Sequence, residues 1–254
     1  MVGLYTQIRG FACYLPPNIK TSDDTVPFGT LPRGIDFKRL TKIDSHHEVL
    51  EGQGGLELAV EAANKAIERS GVSRDEIDLV ISCSVTKLNS KLQNLIEPCL
   101  ASHVSMALEI DAQNFDVANA CSGMVTGLLI ADRKIKSGKV RNALVVSGEY
   151  LTGALYEALD KNLLFNPKAL ASLTIGDAGG AYVISESEEE RIRFFEPVTL
   201  AQYSQLCIGD AAVGRPGPAM RTDSKKLQSG ALGNLGEYLK RGMRNNEEWS
   251  THHP

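Results

Sequence analysis

The chain has 254 residues, of which 43% are hydrophobic and 23% charged, and its formal net charge is -4. That length and apolar content suffice for a large core, built as one large domain or two fused halves. The slight acidic excess excludes the basic footprint of a nucleic-acid binder, and no apolar run reaches membrane-spanning length.

Residues Met1 to Ile8 show neither the basic nor the apolar part of a signal peptide. The five cysteines, Cys13, Cys83, Cys99, Cys121 and Cys207, are scattered and form no CxxC pair. Such usage fits reduced thiols in a cytoplasm better than a disulfide framework or a zinc site.

In chain order, Gly3 to Tyr14 is a strand ended by Leu15-Pro16-Pro17, because proline lacks the donor that a ladder needs. Residues 19 to 50 are polar and irregular and are expected to form a surface loop or short helices. His46-His47 lies there and is read as part of a solvated loop, since no third metal ligand is near in sequence. Gly54 to Gly71 carries one apolar stripe, Leu56, Ala59, Val60, Ala63 and Ile67, which predicts a helix. Ser73 and Glu76 form a capping-box pattern. Ile77 to Val85 is a near-continuous β-branched run, as in a strand covered on both faces.

Leu92 to Leu108 reads as a helix broken near Pro98. Cys99 and His103 share one of its faces and are read as packing residues rather than metal ligands. Asn114 to Ala120 is a strand that runs into Cys121, and Ser122 to Lys136 is a helix with Val125, Leu128, Leu129 and Ile135 on one face. Cys121 thus stands where a helix begins. Unpaired N–H groups and the helix dipole there favour a thiolate, and the small Ser122 and Gly123 leave room for a carbonyl. A nucleophilic cysteine is built on such a corner. A cysteine is also a common buried small hydrophobe, so position alone leaves both readings open.

Ala143 to Gly148 is the next strand. Leu173 to Ser185 is a glycine-rich turn leading into another, with a structural role expected for its glycines. The acidic stretch Ser185 to Arg191 marks a join, Ile192 to Leu200 resumes as a strand, Cys207 to Pro218 is a loop, and Ser224 to Met243 has helical character.

Asp116-Val-Ala-Asn-Ala-Cys121-Ser-Gly123, with Leu128-Leu-Ile-Ala-Asp132 and Ser137-Gly-Lys-Val-Arg-Asn-Ala-Leu-Val-Val-Ser-Gly-Glu149, resembles the active-site region of the β-ketoacyl-acyl-carrier-protein synthase III family of the thiolase superfamily. The turn at Gly176-Asp-Ala-Gly-Gly-Ala181 resembles that family's Gly-Asp-Gly-Ala-Gly-Ala turn, with one alanine and glycine exchanged. Trp249 followed by His253 is similar to the pattern that carries the family's catalytic histidine, with His252 as the alternative.

The resemblance implies an α/β, thiolase-like layered αβαβα fold. Residues 1–187 would form the half that carries the cysteine, and 188–254 would begin the second half. The family pattern continues to an asparagine and a glycine-rich loop that are not reached by Pro254, so the second half is expected to be incomplete or completed by another chain.

The activity implied is acyl transfer. Cys121 would take an acyl group from acyl-coenzyme A or an acyl carrier protein, and a malonyl thioester would then condense with it, as in fatty-acid or polyketide synthesis. His253 would stabilise the enolate oxygen. No metal or redox cofactor is expected, coenzyme A or phosphopantetheine being the substrate's own handle. A homodimer, or a heterodimer with a related chain, would form along the strand before the cysteine. Two alternatives stand beside this: transfer of the same acyl group to a non-carbon or aromatic acceptor, and a non-catalytic subunit of a complete synthase.

Overall fold

The apolar run at 77–85 supplies an interior strand, Leu79–Ser82, covered on both faces as its lack of alternation requires. The computed structural model describes residues 5–31, 34–161, 167–192 and 197–230, with positions 233, 236 and 240. Its elements in chain order are β1 (Tyr5–Tyr14), β2 (Asn18–Thr21), α1 (Ser22–Thr25), α2 (Phe37–Thr41), β3 (Ser45–Glu48), α3 (Gly55–Ser70), β4 (Leu79–Ser82), α4 (Leu100–Ala107), β5 (Gln113–Asp116), α5 (Gly123–Lys136), β6 (Asn142–Glu149), α6 (Thr152–Asp160), β7 (Ala178–Ser187), β8 (Cys207–Ala211) and β9 (Pro218–Thr222).

Five strands form one mixed sheet in the order β1-β7-β6-β4-β5. β4 runs parallel to both β5 and β6, while β7 is antiparallel to β6 and β1. Successive side chains leave opposite faces of a strand, and here both faces are covered. Val80, Leu144 and Val146 point to one side, where Ala59, Ala62, Ala63 and Ala66 of α3 and Leu100 and Val104 of α4 meet them. Leu79, Ile81, Ala143 and Val145 point to the other, against Leu128, Ala131 and Ile135 of α5. The result is three layers, helix–sheet–helix. The alanine-rich face of α3 lets the helix lie close to the sheet, and its four core alanines are fully buried.

The glycines at the start of β7 serve close packing rather than a left-handed conformation. A Cβ on Gly179 would lie 2.0 Å from the Leu58 carbonyl oxygen in α3.

Several expectations are corrected. The stretch 19–50 holds β2 and β3, which pair antiparallel with Ile19 opposite His47. Neither strand alternates apolar and polar residues, so only backbone pairing reveals them. Of the helix expected over 92–108, only Leu100–Ala107 forms. The preceding residues make a turn in which the Asn89 side chain accepts from Lys91 N and Gln93 N. Residues 197–200 are not a strand. The loop expected over 207–218 is instead part of a two-stranded ribbon of β8 and β9, and residues 224–230 are helical.

α5 sits deep against the sheet because it carries glycine where it meets β4 and β6. A Cβ on Gly127 would be 2.6 Å from Cys83 Sγ and 2.7 Å from Val145 Cγ1. Substituting Gly127→Val is expected to destabilise the fold by about 1–3 kcal/mol through overpacking, despite valine's better helix propensity. The shift of the urea unfolding midpoint measures it.

Candidate active site

β5 is the edge strand of the sheet, and its ladder with β4 ends at Ser82 opposite Asp116. One further bond, Val117 N to Ser82 O at 2.8 Å, extends it. The chain then leaves the sheet and must reverse into α5 within a few residues. Asn119 (φ -148°, ψ 43°) starts the turn. Ala120 follows with φ 42°, in the left-handed region. For a residue with a Cβ that conformation costs roughly 1–2 kcal/mol, so the surrounding structure has to hold it. A single 3-10 turn, Ala120–Ser122, completes the corner, and Gly123 opens α5.

Cys121 lies in the middle of that turn and is exposed. It stands two residues before the first helical residue, and Ser122, the N-cap, makes no side-chain capping bond. The Gly123 N–H is taken by the Ala120 carbonyl, while the Ser122 side chain caps none of the amides that follow it, and uncapped first-turn amides are ready donors for a developing oxyanion. Gly123 brings the helix start onto the end of β4, since a Cβ there would lie 2.8 Å from the Cys83 carbonyl oxygen.

The other cysteines differ. Cys83 is buried beneath Gly127, and burial pushes its thiol up to about 12. It is packing, as its place in a buried strand suggested. Cys99 precedes α4, with Sγ 3.2 Å from Ser102 Oγ. Cys13 and Cys207 are exposed on strands away from any helix start.

Three carboxylates brace the loops at the same end of the parallel strands. Asp116 accepts from Leu100 N and Ala101 N at 3.1 and 2.9 Å, which caps α4, and pairs with Lys87 Nζ at 2.7 Å. Glu149 accepts from Val85 N, Thr86 N, Thr86 Oγ1 and Ser147 Oγ at 2.7–2.9 Å. Asp177 accepts from Val49 N, Leu151 N, Thr152 N and Thr152 Oγ1, holding the start of α6. Burial raises the carboxyls of both Glu149 and Asp177 against the lowering effect of these donors. None of these roles was legible in the sequence, because each joins residues distant along the chain. The strand-end positions of Glu149 and Asp177 were the only available signal.

Beside the corner runs a groove of about 520 Å³ lined by Asn119, Ser122, Val125, Thr126 and Leu129 and by residues 197–201 and 204. His253 and His252, expected to assist Cys121, fall outside the described residues. Of the described histidines, His46 bonds to Glu48 and His47 to the Pro16 carbonyl. The structure places His103 on α4, four residues after Cys99. Among the described residues there is no group of three or more His, Cys, Asp or Glu able to hold a metal ion, and no helix is long and apolar enough to cross a membrane.

Residues 115–202, which include the whole corner, match the family model of 3-oxoacyl-acyl-carrier-protein (ACP) synthase III. The β-ketoacyl-acyl-carrier-protein synthase III of Xanthomonas oryzae pv. oryzae is 32% identical over 190 residues, 74% of this chain and 54% of that protein. The corresponding enzyme of Alkalilimnicola ehrlichii is 35% identical over 196 residues, again 74% and 54%. The chain thus spans about half the length of the curated relatives it matches. Among solved structures, a cysteine-to-serine variant of Xanthomonas campestris OleA with bound lauric acid and lauroyl-CoA superposes with a TM-score of 0.77 at 26% identity, over 90% of this chain and 70% of that one. A glutamate-to-alanine variant of the same protein gives 0.78 at 25%, over 93% and 72%. The fold is thiolase-like.

Brief alkylation with iodoacetamide at pH 8, followed by peptide mapping, is expected to label Cys121 and to leave Cys83 unmodified until the protein is unfolded. A second expectation concerns Glu149. Its folded-state carboxyl is raised above the ordinary 4.5, so the folded state holds that proton more tightly than the unfolded one. The stabilisation is full below pH 4.5 and is lost as pH rises through the raised folded value. Urea unfolding from pH 4 to 7 is expected to show that decline in the wild type and less of it in Glu149→Gln.

Proposed function

Starting from kinship with the β-ketoacyl-acyl-carrier-protein synthase III family, we propose that this chain is an acyltransferase whose Cys121 becomes acylated by an acyl thioester. The observation that supports this best is the exposed sulfur held in a left-handed turn immediately before an uncapped helix. The Cys121 thiolate attacks the thioester carbonyl. The carbonyl π electrons move onto oxygen, and backbone N–H groups at the start of α5 stabilise that oxyanion. Collapse of the tetrahedral intermediate expels the coenzyme A or phosphopantetheine thiolate, which takes up a proton, and leaves a thioester on Cys121. A malonyl thioester then loses carbon dioxide, and its carbanion attacks the acyl-enzyme, forming the new carbon–carbon bond and freeing the sulfur.

By family resemblance, His253, or His252, hydrogen-bonds to the enolate oxygen during decarboxylation. Coenzyme A or the carrier's phosphopantetheine enters as part of the substrate, and this chemistry calls on no resident cofactor.

The division at residue 187 is proposed as the boundary between the half that carries the cysteine and the start of a second half. The edge position of β5 supports a dimer, with the same chain or a related one, that continues the sheet across a two-fold axis. Thiols without disulfide partners are in keeping with a cytoplasmic protein.

Intact-protein mass spectrometry after incubation with octanoyl-coenzyme A is expected to show one octanoyl adduct that is absent in Cys121→Ala. Addition of malonyl-acyl carrier protein is expected to discharge that adduct with release of carbon dioxide. His253→Ala is expected to retain the adduct but to slow the discharge ~10²–10³-fold, the usual effect of removing one oxyanion donor. An adduct discharged without carbon dioxide by an amine, alcohol or aromatic acceptor would redirect the proposal to simple acyl transfer. No adduct at all would point to a non-catalytic subunit.

A further inference from the structure

Resting on the acyl-cysteine proposal, we infer that Asn119 and Thr126 are positioning residues that hold the Cys121 corner in its reactive geometry through a hydrogen-bonded clamp. Ala120, directly before the nucleophile, is in the left-handed region and has no polar side chain of its own to hold it there. The two groups that flank the turn are tied together instead. Asn119 Nδ2 donates to Thr126 Oγ1 at 2.7 Å, and Thr126 Oγ1 donates to the Ser122 carbonyl at 3.0 Å. The Thr126 hydroxyl has one proton. With that proton committed to Ser122, it meets Asn119 only as an acceptor, and this fixes which end of the Asn119 amide faces it.

The chain of bonds therefore starts two residues before Cys121 and ends one residue after it. Its anchor is one helical turn into α5, between Val125 and the buried Gly127. Relaxation of Ala120 out of the left-handed region would swing Asn119 away from Thr126 and break the clamp.

The clamp also has the right energetic character for positioning. Asn119 is exposed and Thr126 only half-buried. A hydrogen bond exchanged with water at such a place adds little to folding. What it restricts is the direction in which the sulfur points, and small misplacements of a nucleophile are costly to rate. Both residues line the groove beside the corner, together with Val125, Leu129, Val198 and Leu200. The clamp thus faces the side where a bound acyl chain or pantetheine arm would lie.

The test uses the full chain and compares two reactions of one sulfur. Acylation by octanoyl-coenzyme A demands an oriented attack on a bound carbonyl, whereas alkylation by iodoacetamide does not. In Asn119→Ala and Thr126→Val, single-turnover acylation is expected to fall at least ~10-fold. Alkylation of Cys121 and the thermal midpoint are expected to stay close to wild type. Thr126→Ser keeps the hydroxyl and is expected to restore most of the acylation rate. Unchanged acylation in Asn119→Ala and Thr126→Val overturns the clamp while leaving the acyl-enzyme intact. The same holds if Thr126→Ser is as impaired as Thr126→Val, or if acylation, alkylation and thermal midpoint all drop together. A wild type that forms no adduct removes the acyl-enzyme proposal, and the clamp's role with it.

Discussion

The close seating of α5 on Cys83, at the end of β4, is the constraint on which the site depends. Side-chain-sized spacing between helix and sheet would set the helix start too far from the end of β5 for a short corner to join them. Gly123 and Gly127 remove that spacing where α5 meets Cys83 and Val145. The buried Cys83 fills what little room remains. The corner that results is short, and its shortness forces Ala120 into the left-handed region and pushes Cys121 outward into solvent. Exposure of the sulfur is thus a consequence of how closely two secondary elements pack behind it.

A second layer of organisation comes from the carboxylates at the ends of the parallel strands. Loops that leave a buried sheet carry backbone donors that the ladder no longer satisfies. Asp116, Glu149 and Asp177 accept those donors in groups, each tying together segments far apart in the chain. Their burial makes ionisation less favourable, and the donors they gather partly offset this. These acidic residues stand at the same end of the sheet as the corner, yet their bonds are spent on backbone amides, on the hydroxyls of Thr86, Ser147 and Thr152 and, for Asp116, on Lys87. They are better understood as the frame of the site than as its acids and bases.

The site is accordingly divided between strong and weak restraints. The deep contacts, in the two apolar layers on either side of the sheet, set where α5 lies. The exposed contacts around Asn119, Thr126 and Ser122 adjust how its first turn is presented. This division lets the corner carry local strain without threatening the fold, because the strained residue contributes nothing to the core. It also suits the proposed chemistry, in which a sulfur must be accessible to a thioester and to donors on the adjoining helix.

By itself the sequence determined the α/β class, the buried strand β4, α3 with its apolar stripe, and the strand–corner–helix around Cys121. Each of these rests on local periodicity or on residues adjacent in the chain, where sequence order and spatial order coincide. Small residues after the cysteine, and their likeness to one family, pointed to the same place. Only the tertiary structure decided the rest. The pairing of β2 with β3 and of β8 with β9 depends on backbone bonds that leave no apolar rhythm. The stretch before α4 folds as a turn because the Asn89 side chain takes up its amides. The inertness of Cys83, the bracing by Glu149 and Asp177, and the left-handed Ala120 arise from contacts between residues far apart along the chain or from a packing distance. Neither can be read from the order of residues alone.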